Sequence, residues 1–334
     1  MIDTTNDGIR GGTARLIEES HAHDAFYEGN LSNHLPMALV ALDRLGAAPE
    51  RIEAFAARYR KKLQPLAAPL DVLTEENAER FLGRPETLPS WVVFFKEAVA
   101  RDGAERTTRR WTGRLMPGVG SVAFHGLIRL AYALDGGVEA ELVHALAHWA
   151  AGYAALGDLP APSAAPTSPA AALASLKGDP RFAKDRFPGR RIADRMARAA
   201  ADPETSALVA AAGTPELDAL ASALLGAYAA TGDFTVLHGL TASHAFAGLT
   251  PYMEDPALAR RYLWQALVCA YLSAGGPAAG APLAGDETWT WEEIRRRAAA
   301  ATDEHDVKLA YSCWRLWQRY GDDRYRRAAS ATLA

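Results

Sequence analysis

Nine of the 334 residues are histidines, the side chains here most able to bind a metal or move a proton near neutral pH. Two of them, His238 and His244, stand in L-H-G-L-T-A-S-H-A-F, residues 237 to 246, among small and apolar neighbours. At roughly 100° per residue a regular helix would hold them about 120° apart, so they converge only if the segment bends or restarts. Gly239, with Thr241 and Ser243 as caps, would permit that. In the plainer reading each is a core histidine with one ring nitrogen satisfied by a backbone carbonyl.

Other groupings offer competing chemistry. Glu141, His144 and His148 form E-x-x-H-x-x-x-H on one helix face, a spacing that can ligate a metal or simply make a half-exposed face. His21 and His23 lie among Glu18, Glu19 and Asp24. His34 sits just before a helix start, and His125 shares a face with Arg129 at i, i+4 of a nearly all-apolar helix. Near the C-terminus His305 and Lys308 are three apart in an apolar segment. A buried lysine loses proton affinity, and its free amine can add carbon dioxide to give an anionic carbamate. The simpler reading pairs Glu304 with Lys308 at i, i+4.

Several classes are disfavoured by what is missing. No G-x-x-x-x-G-K-[ST] occurs, no G-x-G-x-x-G follows a strand, and no G-x-S-x-G elbow is present. A net charge of -4 leaves no electrostatic footprint for nucleic acid. Cys269 and Cys313 sit in apolar helical patterns and read as free buried thiols. No uninterrupted apolar stretch of membrane-spanning length occurs, and M-I-D-T-T-N-D-G has no signal-peptide character, so a soluble cytoplasmic protein is expected.

The elements that must position these side chains are helices. Pro36 and Gly46 bound one, Pro49 to Leu63 continue with Ile52, Phe55, Ala56 and Tyr59 at spacings of three and four, and Trp91 to Val99 keep the rhythm. Helices are expected over 139–156, 169–176, 192–200, 204–212, 217–231 and 255–273, a short capped one over 74–83, and loops over 157–169 and 275–285. With no run of alternating strands, the fold is expected to be all-α: a multi-helix globular bundle with the site between core helices. Residues 1–30 read as an N-terminal arm, ordered only where it packs, and 31–334 as a single domain with a proline-rich internal loop at 157–169.

Four blocks, N-H-L-P-M-A-L-V-A-L-D-R-L-G-A at 33–47, H-G-L-I-R-L-A-Y-A-L at 125–134, L-H-G-L-T-A-S-H-A-F at 237–246 and D-E-H-D-V-K-L at 303–309, together resemble the questin oxidase-like family. That resemblance implies a largely helical oxidoreductase with mononuclear non-haem Fe(II), held by histidines and a lysine carrying a CO2-derived carbamate. Carried over residue by residue, it implies metal-ligand roles for His34, His125, His238, His244 and Lys308. His305 then serves as a ligand or orients the carbamate, and Arg129 hydrogen-bonds a ligand or a phenolate. The implied reaction is O2-dependent, Baeyer-Villiger-like carbon-carbon ring cleavage of a polycyclic aromatic or quinone in secondary metabolism. Any NADPH would act as an external reductant. Trp91, Phe124, Tyr252, Trp264 and Trp314 could wall the pocket, but most of them are expected in the core.

The expected partner is thus a small aromatic molecule, with no nucleic acid or membrane, and the oligomeric state is open. Two alternatives keep the helical scaffold: a metal-dependent hydrolase or isomerase, and a non-catalytic protein that binds hydrophobic ligands. Should 238 to 244 form one straight helix, one of its two histidines is not a ligand and His305 takes its place.

Overall fold

The computed structural model describes residues 8–176, 179, 181, 186–276 and 288–334. Most of the expected loop at 275–285 and the first seven residues lie outside that set. The described residues form sixteen α-helices and one two-stranded antiparallel hairpin, an all-α fold. In chain order they are α1 (Gly11–Ser20), β1 (Phe26–Tyr27), β2 (Leu31–Ser32), α2 (Leu35–Leu45), α3 (Pro49–Arg60), α4 (Leu88–Asp102), α5 (Ala104–Leu115), α6 (His125–Gly136) and α7 (Glu139–Ala151). They continue as α8 (Pro169–Ala174), α9 (Ile192–Ala200), α10 (Pro203–Ala211), α11 (Leu217–Thr231), α12 (Phe234–Leu249), α13 (Pro256–Ser273), α14 (Trp291–Ala300), α15 (Glu304–Tyr320) and α16 (Arg324–Leu333).

Four helices make the centre. α12 packs on α6, α15, α11 and α13, while α2 packs on both α6 and α15. α6 and α12 are buried along nearly every face, which is why neither carries a polar stripe. Each central helix begins at the same cavity. His34 is the N-cap of α2, His125 opens α6, His238 lies in the second turn of α12, and His305 is the second residue of α15.

The N-terminal segment is more structured than an arm. α1 buries Leu16 and Ile17 in the main core against α2 and α3, and the hairpin 26–32 runs across the expected boundary at residue 30. Residues 157–168 form an irregular stretch, with Pro169 opening α8, and are bound to α13 through Gln265, whose amide donates to the Gly157 and Asp158 carbonyls at 3.4 Å each. The segment 74–83 holds only a 3-10 turn, Ala78–Phe81.

The bend expected near Gly239 does not occur: 234–249 is one continuous helix. Gly239 serves a different purpose. A Cβ there would lie 2.9 Å from Leu224 Cδ1 and 3.1 Å from Leu267 Cδ2, so the missing side chain lets α11 and α13 close on α12. Nor do Thr241 and Ser243 cap a helix. Their hydroxyls donate back to the carbonyls of His238 and Gly239, each at 3.0 Å.

Before α6 the chain makes a turn that its residue types disfavour. Val122, Ala123 and Phe124 have φ of 45°, 55° and 68°, three consecutive non-glycine residues in the left-handed region. Each costs about 1–2 kcal/mol relative to ordinary backbone. The turn aims the Val122 carbonyl at His125 Nδ1, 2.6 Å away.

Candidate metal centre

Three of the four central imidazoles are held by an oxygen that can only accept. His125 Nδ1 donates to the Val122 carbonyl at 2.6 Å and His238 Nδ1 to the Phe234 carbonyl at 2.7 Å. His305 Nδ1 meets Asp303 Oδ1 at 3.0 Å, and the same carboxylate caps α15 by accepting the His305 backbone N–H at 2.7 Å. A proton fixed on Nδ1 leaves Nε2 as a lone pair, the arrangement that orients metal-ligating histidines. His34 is anchored through its backbone instead, its N–H donating to Tyr59 Oη at 2.9 Å.

The rings converge. His34 and His125 stack with centroids 4.4 Å apart, His34 and His305 meet edge to face at 4.7 Å, and His238 lies 5.0 Å from His125 and 5.5 Å from His305. His125 Nε2 and His34 Nδ1 are buried with no hydrogen-bond partner. Such orphaned acceptors are rare without a ligand, ion or ordered water to meet them. Glu304 reaches in from the first turn of α15, its Oε1 3.7 Å from His34 Nδ1 and 3.0 Å from Lys62 Nζ. Its ion pair is therefore with Lys62 on the neighbouring segment, rather than the expected partner Lys308. Among the described residues one group of histidine and carboxylate donor atoms is compact enough to share an ion: His34, Glu304 and His305, within 4.8 Å of one another.

Electrostatics keep these groups neutral. Burial, followed by the nearby Lys308 charge, pushes His34 and His125 well below the ordinary imidazole value. Burial also brings His238 down to about 3 and lowers His305. Lys308, buried as well, falls to about 8 for the same reason, so its amine gives up its proton far more readily than an exposed lysine. The positive ends of four helices add to this. They favour unprotonated imidazoles but oppose a bare cation, so a bound metal here calls for an anionic oxygen beside the nitrogens. Glu304, grouped with His34 and His305, is in place to supply it. The donor set suits divalent iron on chemical grounds.

Beside the imidazoles lies a cavity of about 440 Å³, in the size range of small-molecule sites. Tyr27, Leu31, Val122, Ile192 and Phe234 supply its apolar walls, and His34, His125, His238 and His305 its polar end. Of the aromatics weighed as pocket wall or core, Trp91, Phe124 and Trp264 are fully buried in the core. Tyr252 lies under Arg109, and Trp314 under Arg295.

Two residues implied as functional are elsewhere. His244 points away from the cavity, toward α15, as the continuous helix requires. Its Nδ1 lies 3.1 Å from Ser312 Oγ, with Tyr132 and Tyr311 packed against its ring. Arg129 does not line the cavity either. Its guanidinium grips buried Glu141 with bonds of 2.6 and 3.1 Å. Glu141 also binds His21 Nε2 at 2.8 Å, and His21 stacks on His144 with centroids 3.9 Å apart. The E-x-x-H-x-x-x-H pattern is thus a buried ion-pair network, with His148 turned to Ser32 Oγ at 3.4 Å. Asp303, Tyr59, Lys62 and the Glu304 carboxylate were missed as parts of the site. Only the acidic pair directly before His305 gave any signal in the sequence.

A family model described as Questin oxidase-like matches residues 31–313. The chain belongs to the Questin oxidase-like family. The match spans every residue of the imidazole cluster, from His34 to His305, as well as Lys308, and ends within α15, leaving α16 outside it. Among curated proteins, none matches the chain. Among the described residues of this Questin oxidase-like chain, no helix is long and apolar enough to cross a membrane.

Proposed function

We propose that this protein is an iron-dependent oxygenase that cleaves a ring of a polycyclic aromatic or quinone substrate with O2. Membership in the Questin oxidase-like family supports an oxidoreductase as the class of activity. The observation that carries the finer reading is the convergence of four imidazoles from four helix starts on one cavity, three with their lone pairs preset by oxygen acceptors.

In this reading His34, His125, His238 and His305 hold the metal, with His305 in the place first given to His244. The anionic oxygen comes from carboxylated Lys308 or from Glu304. Bound iron would supply O2 activation next to the substrate. The chain's own residues do the rest. The Lys308 amine attacks the carbon of CO2, forming an N–C bond and releasing one proton, and burial supports this by leaving the amine unprotonated at mildly basic pH. Asp303 and the Val122 and Phe234 carbonyls keep the imidazole tautomers fixed. Phe234, Ile192 and Val122 offer apolar surface that excludes water from a planar ring system.

The test is oxygen uptake by protein reconstituted anaerobically with Fe(II) and given an anthraquinone or related polycyclic phenol. Substrate-dependent uptake that disappears in His125→Ala supports the reading. Stoichiometric iron with no uptake for any such compound would remove the oxygenase assignment, and hydrolysis without uptake would replace it.

A further inference from the structure

The cavity's outer rim carries charge that its polar end does not explain. Arg190, Arg191 and Arg195, at the start of α9, line the side away from the core helices. Their partners differ. Arg191 is committed to Asp194, with Nε at 3.1 Å and a terminal nitrogen at 2.6 Å from the two carboxylate oxygens. Among the described residues Arg195 reaches only neutral acceptors, the Gly189 carbonyl at 3.3 Å and Thr235 Oγ1 at 3.2 Å. Arg190 has no hydrogen bond or ion pair among the described residues.

Two carboxylates face the same space. Glu304 is held by Lys62 at 3.0 Å. Glu28, at the hairpin tip, lines the cavity but forms no ion pair with the arginines among the described residues. The cavity lining therefore offers two guanidinium groups without a carboxylate partner among the described residues, together with Ile192 and Phe234. A guanidinium in such a position binds a carboxylate through paired, charge-assisted hydrogen bonds, while apolar walls take a flat ring.

We infer that the substrate is an aromatic acid: a planar ring body lies along Phe234 and Ile192 toward the imidazoles, and its carboxylate is bound at the rim by Arg190 and Arg195. This rests on the reading of the cavity as the reaction site and narrows its substrate class. Arg190 and Arg195 are then specificity-determining residues, outside the metal-holding set.

The experiment is equilibrium binding, followed by ligand fluorescence under anaerobic conditions, with iron-reconstituted protein and again with protein to which no iron is added. The probes are 2-anthracenecarboxylate and its neutral carboxamide. The acid is expected to bind roughly tenfold or more tighter than the amide. Arg190→Gln/Arg195→Gln should abolish that preference while leaving amide affinity within about twofold, and added salt should weaken the acid selectively. Thermal melts confirm that the double variant is folded, and Arg191→Gln serves as a control expected to keep the preference. Equal affinity for acid and amide overturns the inference, as does a preference that survives the double substitution. Binding of neither probe overturns it together with the reading of the cavity as the aromatic site. Because the titration needs no turnover, a failure to take up oxygen leaves the acid-to-amide ratio readable.

Discussion

His34 and His125 lie face to face, 4.4 Å between ring centroids and 16° between planes, and each carries a buried ring nitrogen with no hydrogen-bond partner. Two neutral imidazoles brought together this way, out of water, forfeit hydrogen bonds that cost about 1–3 kcal/mol per group when left unmade. That cost is offset if an ion or ligand meets these nitrogens in the ring planes, at the edges of the stacked pair. The strained left-handed turn at 122–124, which delivers His125, argues the same way, since strain of this kind collects where a site over-determines the backbone.

His238 and His244 share one helix but not one site, so their substitutions should separate. His238→Ala is expected to lower iron content by at least tenfold, while His244→Phe keeps it near wild type and loses only packing and the Ser312 contact. Metal analysis after anaerobic reconstitution decides this. Equal losses in both variants would return His244 to the ligand set.

Arg129→Ala should destabilise the fold rather than disable the cavity. It leaves Glu141 buried with only His21 for a partner, a loss of about 3–5 kcal/mol. Urea denaturation measures it, and a change below about 1 kcal/mol would show the pair to be dispensable. In whatever fraction remains folded, iron content per molecule should be unchanged.

Gly239→Ala tests the close approach of α11 and α13. The added Cβ would press on Leu224 and Leu267, and the expected cost is about 1–3 kcal/mol by overpacking. A helical glycine with open space for a Cβ would instead gain stability from alanine.

Acid should weaken the protein before ordinary carboxylates titrate. Burial holds His144 and His148 down to about 3 in the folded state, against about 6.5 when unfolded. Between those values the unfolded chain binds more protons, so stability falls as pH drops from about 6.5 toward 3. Glu141, held at about 2 mainly by Arg129 against its own desolvation, adds a further loss below about 4.5. Denaturation midpoints measured across that range should decline steadily; a flat profile down to pH 4 would contradict the neutral, buried state of both histidines.

The helices were legible because apolar spacing and proline-glycine punctuation agree with the packing. Ile192–Ala200 and Leu217–Thr231 match their expected limits. Helices α1 and α16 escaped notice because short, arginine- or glycine-containing segments show little apolar face alone. At the site, the periodicity argument that set His238 and His244 about 120° apart was sound. What went astray was the role given to Gly239, since a glycine needed for close packing looks the same in sequence as one needed for a bend. The left-handed turn at 122–124 was illegible for the opposite reason, its valine, alanine and phenylalanine being unsuited to that conformation. Arg129 was placed by helical spacing on the His125 face, but spacing could not reveal Glu141 twelve residues on as its partner.

The most direct measurement is iron stoichiometry, by elemental analysis of protein reconstituted anaerobically with Fe(II), for wild type, His125→Ala and Lys308→Met. The proposed centre requires close to one iron per wild-type chain and loss of most of it in His125→Ala while thermal melts show the variant folded; loss in Lys308→Met assigns the anionic oxygen to the carbamate, and retention there assigns it to Glu304. Absence of stoichiometric iron in the wild type, or full retention in His125→Ala, would contradict it.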